Sequence, residues 1–398
     1  MGMKRLKGLL AIFLCICLLT GCWNRREIDE LAIVLAAGID KTEKGQYRFS
    51  LQFVNPSEVA GEATGRSSSV TTYADNGYSL FEALRAASQI SPRRLYVGST
   101  QVLVISEEVA KEGIEEIFDL LHRDPEFQTS LKILVARGIS AEDLLSTATS
   151  LEKVPASKLT RTLQITEKVW AESIANTTHD IVGDLVSEGK DPVISGVRVT
   201  GDPGKGRKEP ENTKEIIPPA KIKFAGLALF RKDRFKGWAD YKQARGILWG
   251  RDKIRNPPVS IGCKKEKYKI SIETVRSKTR IHTELVHGKP KVRMVIRPVA
   301  RVTELICLID LDNPENIHQL EKRYAKVIRN EVKAALRFTQ KKKLDVFGFG
   351  DAFSRSNNEW WKTVKDKWPS YYSRLDVQVD IVPSIRRTGL RGKPFQAK

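Results

Sequence analysis

Long apolar runs are scarce in this 398-residue chain, and the longest, Leu9–Leu19, contains eleven residues. A helix that crosses a bilayer needs roughly 20 apolar residues, so the sequence excludes a protein built from membrane-spanning helices. Lys4, Arg5 and Lys7 precede the apolar run, and no acidic residue accompanies them. A basic segment followed by a short apolar one is typical of an export signal.

The apolar run is not followed by an ordinary small-x-small cleavage site. It ends in Leu19-Thr20-Gly21-Cys22, which resembles the lipobox of bacterial lipoproteins. The alternative is a plain export signal in which the cysteine falls by chance. The lipobox predicts that residues 1–21 are a lipoprotein signal peptide and that diacylglycerol is attached to the Cys22 sulfur. The mature chain would then be a water-soluble body, lipid-anchored to the outer face of the cytoplasmic membrane.

Cysteine is also rare, with five residues in the whole chain. Cys15 and Cys17 would leave with the signal peptide, and Cys22 would be lipidated, so only Cys263 and Cys307 remain. One disulfide could join them in an oxidising compartment, but two free thiols are the simpler expectation. In either case the chain is not a disulfide-stabilised scaffold.

The sequence lacks the common motifs of catalysis and metal binding. Its five histidines show no metal-ligand spacing, and neither a Gly-x-Ser-x-Gly elbow nor a Cys-x-x-Cys pair occurs. Trp360 and Trp361 could form a ligand platform, although tryptophans at helical spacing more often fill a core. We therefore predict no catalytic, cofactor-binding or metal-binding residues, and a protein that is not an enzyme.

Acidic residues are few in one segment of the chain. Residues 221–301 contain 23 Lys and Arg against six Asp and Glu, whereas the rest of the mature chain is neutral. Within this segment, "KYKISIETV" and "KVRMVIR" alternate apolar and polar residues, which predicts two half-buried strands with cations on the wet face. Export argues against nucleic acid as the partner of these cations.

Two explanations of the basic strands stay open. Their cations could only keep a soluble sheet from aggregating, or they could attract anionic lipid headgroups or acidic loops of a membrane partner. The second explanation makes the wet face a candidate interaction surface, represented by Lys267, Lys269, Lys291 and Arg293.

The order of predicted elements indicates an α+β fold of several domains, each a mainly antiparallel or mixed sheet flanked by helices. Residues 22–200 read as an N-terminal α/β region, which could divide into two subdomains. Residues 201–221, rich in Gly, Pro and charge, are predicted to be a linker or long loop. Residues 222–398 are predicted to form a C-terminal α+β domain with the basic sheet and a long helix that begins at Asn313 and Pro314 and runs to about Lys342.

Two segments carry a resemblance to a known family. The start "CWNRREIDELAIV" and the C-terminal "KLDVFGFGDAFSRSNNEWWKTVKDKW" resemble the Ger(x)C family, the lipoprotein C subunits of nutrient germinant receptors in spore-forming bacteria. The resemblance covers nearly all of the mature chain, although Asn24 stands where the family often has Asp.

The resemblance implies a function and partners. It implies a subunit that joins two integral membrane subunits in the spore inner membrane, where the complex senses nutrients and initiates germination, with no enzymatic activity. Of residue roles, it transfers only the lipidation of Cys22. The alternative from another class is a solute-binding lipoprotein of a transporter, which would need a ligand cleft between two similar lobes.

Overall fold

A computed structural model describes residue 2 and residues 30–60, 68–208, 212–263, 266–307 and 309–387. Cys22 therefore lies outside the described residues. The side chains of Lys267 and Lys269 also lie outside the description, although the backbone around them is described.

The first half of the chain forms a mixed sheet of nine strands in the order β3-β2-β1-β5-β6-β7-β8-β9, with β4 paired to β1. Strands β1, β5, β6 and β7 are parallel, and antiparallel strands flank them on both sides. The strands are β1 (Leu31–Lys41), β2 (Tyr47–Val54), β3 (Val70–Gly77), β4 (Arg94–Tyr96), β5 (Val102–Ser106), β6 (Lys132–Ala136), β7 (Val193–Gly201), β8 (Ala220–Arg231) and β9 (Arg234–Ala239).

Helices cover both faces of this sheet, since its parallel strands are apolar on both sides. Buried side chains of four helices pack on one face and those of two helices on the other. The helices of this half are α1 (Pro56–Ala60), α2 (Leu80–Ala87), α3 (Glu107–Glu112), α4 (Glu115–Arg123), α5 (Ala141–Leu145), α6 (Pro155–Val169), α7 (Thr178–Val186) and α8 (Pro203–Gly206).

The second half forms a smaller sheet around one long hairpin. Strands β11 and β12 pair antiparallel over almost their whole length and turn at His287 and Gly288, both with positive φ. Strands β13 and β14 add to β12 in parallel, and β10 pairs with β11. The strands are β10 (Pro258–Cys263), β11 (Glu266–Val286), β12 (Lys289–Leu305), β13 (Asp376–Ile381) and β14 (Ser384–Arg387).

One face of the second sheet is covered by helices that bury a single large core. The longest begins at the Asn313 cap with Pro314 in its first turn and ends at Lys342, as predicted. Trp361 is buried in this core and Trp360 packs against it, so the two tryptophans do not form a ligand platform. The helices are α9 (Tyr241–Gly250), α10 (Pro314–Lys342), α11 (Phe349–Ser356), α12 (Asn358–Val364) and α13 (Trp368–Tyr372), with a 3-10 turn at Lys365–Lys367.

The predicted fold class is confirmed, because both halves are sheets flanked by helices. The predicted linker, 201–221, joins β7 to β8, which pair antiparallel within the first sheet. This Gly- and Pro-rich segment therefore connects neighbouring strands of one sheet. The first sheet continues beyond it to Ala239.

Two local expectations differ from the structure. Ser106 and the apolar residues after it predict a helix to about His122, but the helix ends at Glu112, before Gly113, which has φ +144°. A Cβ on Gly113 would lie 2.4 Å from an oxygen of Asp233, so the chain bends where β9 approaches. Cys307 is disulfide-bonded, so the expectation of a free thiol is wrong at this position.

Candidate interaction surface

The outer face of the second sheet is the surface on which strand alternation places the predicted cations. On β12, Val292, Met294 and Ile296 are buried, whereas Lys291 and Arg293 are exposed. The predicted alternation is therefore right, except that Val295 is also buried. Val295 lies opposite Arg280 of β11 and Asp380 of β13, and a central strand leaves little of a short side chain open to water.

Several cations of this face are paired with carboxylates. Arg293 donates to Asp380 at 2.6 Å, Lys278 to Asp252 at 2.5 Å and Arg301 to Glu273 at 2.6 Å. Hydrogen bonds from Gln378 and then from Arg293 lower the pKa of Asp380. Arg276, Arg280, Lys291 and Arg297 are exposed on this face and have no ion-pair partner among the described residues, so they add positive charge to it.

The four predicted surface residues do not form one cluster. Lys267 and Lys269 lie at the start of β11, beside β10, whereas Lys291 and Arg293 lie at the start of β12. Glu284 is the β11 residue opposite Lys291, and it follows Lys269 by fifteen positions. At roughly 3.3 Å per residue, this separation is about 50 Å.

The basic segment as a whole is also divided in the structure. Residues 221–239 belong to the first sheet, and residues 258–301 belong to the second. A concentration of charge along the sequence is therefore spread over two surfaces, and only the β11–β12 hairpin presents it as a continuous face.

Two further kinds of feature are absent from the described part of the chain. There, no helix combines the length and the apolar character that crossing a membrane requires. No group of three His, Cys, Asp or Glu side chains in that same part could hold a metal ion.

The segment "DVFGFG" forms a carboxylate-centred turn at the junction of the two sheets. Asp345 is buried, and it accepts hydrogen bonds from the backbone N–H groups of Gly348, Phe349 and Gly350 and from the Trp368 indole, all within 2.8–3.1 Å. Burial raises the pKa of Asp345 to about 7, against the effect of these donors. The carboxylate holds the left-handed Gly348 and the start of α11 in place, so its role is positional.

This turn is locked to the first half of the chain by close backbone contacts. Asp345 donates its backbone N–H to the Asp191 carboxylate at 2.8 Å, and Asp191 donates its own to the Asp345 carbonyl at 2.8 Å. A Cβ on Gly350 would lie 2.6 Å from the Cα of Gly189, so glycine is needed where the two segments cross.

A buried ion pair within the second half makes a second junction, because its arginine also bonds to the first half. Arg245 on α9 lies 3.1 Å from Glu331 on α10, and their side chains are 2% and 7% exposed. Arg245 also donates to the carbonyls of Trp170 and Pro258, at 3.3 and 3.2 Å, and Glu331 accepts from the Trp249 indole at 2.8 Å. A cavity of about 520 Å³ lies beside this pair.

Sequence reasoning found one of these junctions only as a motif and missed the other. The segment "DVFGFG" carries part of the family resemblance, but nothing in its sequence indicates that Asp345 is buried. Arg245 and Glu331 are charged residues inside the apolar stripes of two helices, and that position is the signal by which they could have been found.

Comparisons with known proteins agree over the whole chain. A family model described as "Spore germination protein N-terminal domain" matches residues 24–199, and another described as "Spore germination B3/ GerAC like, C-terminal" matches residues 225–389. Spore germination protein KC of Bacillus subtilis (strain 168) is 33% identical over 399 residues, which are 98% of each chain. Putative spore germination protein YfkR of the same organism is 29% identical over 392 residues, 96% of this chain and 97% of that one.

A solved structure shares the fold. The crystal structure of the GerBC protein matches 88% of this chain and 96% of its own, with a TM-score of 0.55 and 19% sequence identity. The whole-length identity to Spore germination protein KC and the two family models, which meet near the β7–β8 connection, agree with the family resemblance of the sequence. The chain belongs to the Ger(x)C family of spore germination proteins.

Proposed function

We propose that this chain is the lipid-anchored subunit of a spore germinant receptor and acts in nutrient sensing and the initiation of germination. The observation that carries the proposal is the 33% identity to Spore germination protein KC over 98% of both chains. Identity at this level along the whole chain extends over both sheets and the junctions between them, and it supports a shared role as well as a shared fold.

The anchor is diacylglycerol on Cys22, and the body stands on the outer face of the spore inner membrane. The sequence supports this placement through the basic segment, the eleven-residue apolar run and the lipobox at residues 19–22. Two integral membrane subunits complete the receptor, and this chain assembles against their exposed loops.

The cationic outer face of the second sheet is the surface by which the body meets acidic loops or anionic lipid. Lys291 and Arg280 support this role, because both are exposed and lack an ion-pair partner among the described residues. Arg293, although paired with Asp380, is still 61% exposed and adds to the field of the face. Lys267 and Lys269 belong to the far end of the same hairpin and would act there as a separate contact.

The rival role as a solute-binding lipoprotein of a transporter receives no support from the fold. That role calls for two similar lobes with a cleft between them. Here one half is a nine-stranded mixed sheet and the other a five-stranded sheet on a long hairpin. The cavity beside Arg245 is lined by residues of the second half apart from Trp170, so it is not a cleft between two lobes.

The test is recovery of partners from spore membranes. The full-length chain carrying a C-terminal affinity tag is solubilised from spore inner membranes in mild detergent and purified, and its partners are identified by mass spectrometry. We expect two polytopic receptor subunits in constant ratio to the tagged chain. Recovery of a transport ATPase and its permease, or of the chain without membrane subunits, would contradict the proposal.

A further inference from the structure

The β7–β8 connection ends in an exposed apolar tip that no part of the described chain covers. Ile216 is 100% exposed and Ile217 is 74% exposed, and the two are adjacent. Single exposed apolar residues are common on protein surfaces, but two largely exposed β-branched residues side by side at a loop tip are not needed for folding. We therefore expect this tip to contact another molecule.

The tip projects from a base that is fixed by buried hydrogen bonds. Asn212 is 1% exposed, donates to the Ala148 carbonyl at 2.6 Å and accepts from the Ala220 N–H at 2.9 Å. Asp202 donates its backbone N–H to the Pro219 carbonyl at 3.0 Å. These hydrogen bonds close the base of the loop, and the two isoleucines project from it into solvent.

The connection and the start of β8 carry cations that are unpaired in the described part of the chain. Lys205, Lys214, Lys221 and Lys223 are exposed and have no ion-pair partner among the described residues, whereas Glu215 is the acid next to the isoleucines. An apolar tip with lysines around its base matches a membrane interface, where apolar side chains enter the acyl boundary and cations remain at the level of anionic headgroups.

The neighbouring loop and the sequence of the tip fit the same occupant. Leu151, 94% exposed, follows Ala148, whose N–H donates to Gly206 of the connection at 2.9 Å. Pro218 and Pro219, which follow the isoleucines, have no backbone N–H to desolvate.

A protein partner fits the tip less well than lipid does. A stable protein interface buries about 800 Å² on each partner, and two side chains at a loop tip do not supply that area. A bilayer can accept so small an apolar contact, because the lipid anchor already holds the chain at its surface.

We propose that the loop around Ile216 and Ile217 inserts into the headgroup region of an anionic bilayer, as a second membrane contact beside the Cys22 anchor. The inference rests on the proposed function in one respect, since the anchor brings the loop to the membrane. Insertion at two points would fix the orientation of the body relative to the membrane, which the anchor alone leaves free.

The test places an environment-sensitive nitrobenzoxadiazole label on the full-length lipoprotein in vesicles. An Ile217→Cys variant is labelled, and the control is a Val186→Cys variant. Val186 is 76% exposed and ends α7, which packs on the opposite face of the first sheet from α5. Wild-type protein treated with the same reagent supplies the background. Vesicles are made of phosphatidylcholine alone or with phosphatidylglycerol.

We expect the label at position 217 to shift its emission to the blue and to be quenched by brominated lipid chains, more strongly with phosphatidylglycerol present. The label at position 186 should show neither effect. If the label at position 217 keeps the emission it has in water while the protein is bound to vesicles, the loop contact is wrong and the lipid anchor is unaffected. A shift that needs the membrane subunits of the receptor also overturns it, in favour of a protein partner. Protein that does not bind the vesicles contradicts both the anchor and the loop contact.

Discussion

Asp191 and Asp345, which are 154 residues apart, bond to each other through two 2.8 Å hydrogen bonds that join the start of β7 to the end of α10. One bond uses the Asp191 carboxylate and the other the Asp345 carbonyl, so the two segments are held in register. Together with the hydrogen bond from Arg245 to the Trp170 carbonyl, this contact joins the two sheets of the chain.

Protonation of Asp345 should make stability depend on pH. Its pKa rises from 3.8 to about 7 on folding, mainly through burial. The folded state therefore binds more protons than the unfolded state between these values, and the carboxyl stabilises the fold less as pH rises through that window. At about 1.36 kcal/mol per pKa unit, the change is roughly 4 kcal/mol.

Urea unfolding of wild-type protein and the Asp345→Asn variant between pH 4 and pH 7 measures this effect. The advantage of the wild type in free energy of unfolding should shrink as pH rises, because only the wild type must bury a charge at the upper end. A difference that is constant or grows with pH would show that Asp345 is folded in its charged form throughout.

Glu331→Gln should be strongly destabilising. It leaves the Arg245 guanidinium buried without its counter-charge, and breaking a buried pair in this way costs about 3–5 kcal/mol. The matched control is Asp380→Asn, which removes the partner of the exposed Arg293 and should cost less than about 1 kcal/mol. Equal losses in the free energy of unfolding for the two variants would contradict the assigned role of the buried pair.

Gly350→Ala should destabilise the junction by about 1–3 kcal/mol, because its Cβ would lie 2.6 Å from Gly189 and force the backbones apart. Gly183→Ala in α7 is the control, since no atom lies within 4 Å of its added Cβ. The control should be neutral or stabilising by up to about 1 kcal/mol. Thermal unfolding of both variants tests this prediction. A Gly350→Ala variant as stable as the wild type would show that the close approach of Gly350 to Gly189 does not constrain the fold.

Lys291→Glu should weaken assembly of the receptor without affecting the fold. The residue is exposed on the outer face of the second sheet and lacks an ion-pair partner in the described chain. Lys333→Glu makes the same charge change on an exposed position of α10, on the other side of that sheet, and should leave assembly intact. Co-purification of the membrane subunits from spores reports the result, and normal recovery with Lys291→Glu would mean that the cations only keep the sheet soluble.

Elements set by local chemistry could be predicted from the sequence. The Asn313 cap, Pro314 in the first turn and the apolar stripe determine α10 within a single stretch of chain, and its bounds were predicted closely. The alternation on β12 likewise predicted which of its side chains are buried.

Features set by distant parts of the chain could not be predicted. Residues 201–221 lack periodicity, and such a segment could link either two domains or two neighbouring strands. Only the pairing of β7 with β8 shows that it links neighbouring strands. The break at Gly113 depends on Asp233, which is 120 positions away. The separation of Lys269 from Lys291 depends on the hairpin register, which the sequence of either strand alone does not contain.

The central claim is that acyl chains on Cys22 hold this body to the membrane, and mass spectrometry of the N-terminal peptide from native spore-membrane protein tests it most directly. We predict a peptide that begins at Cys22 and carries diacylglycerol on its sulfur, and that is absent when Cys22→Ala protein is prepared in the same way. A native peptide with an unmodified Cys22 thiol, or one that still contains residues 1–21, would contradict the account.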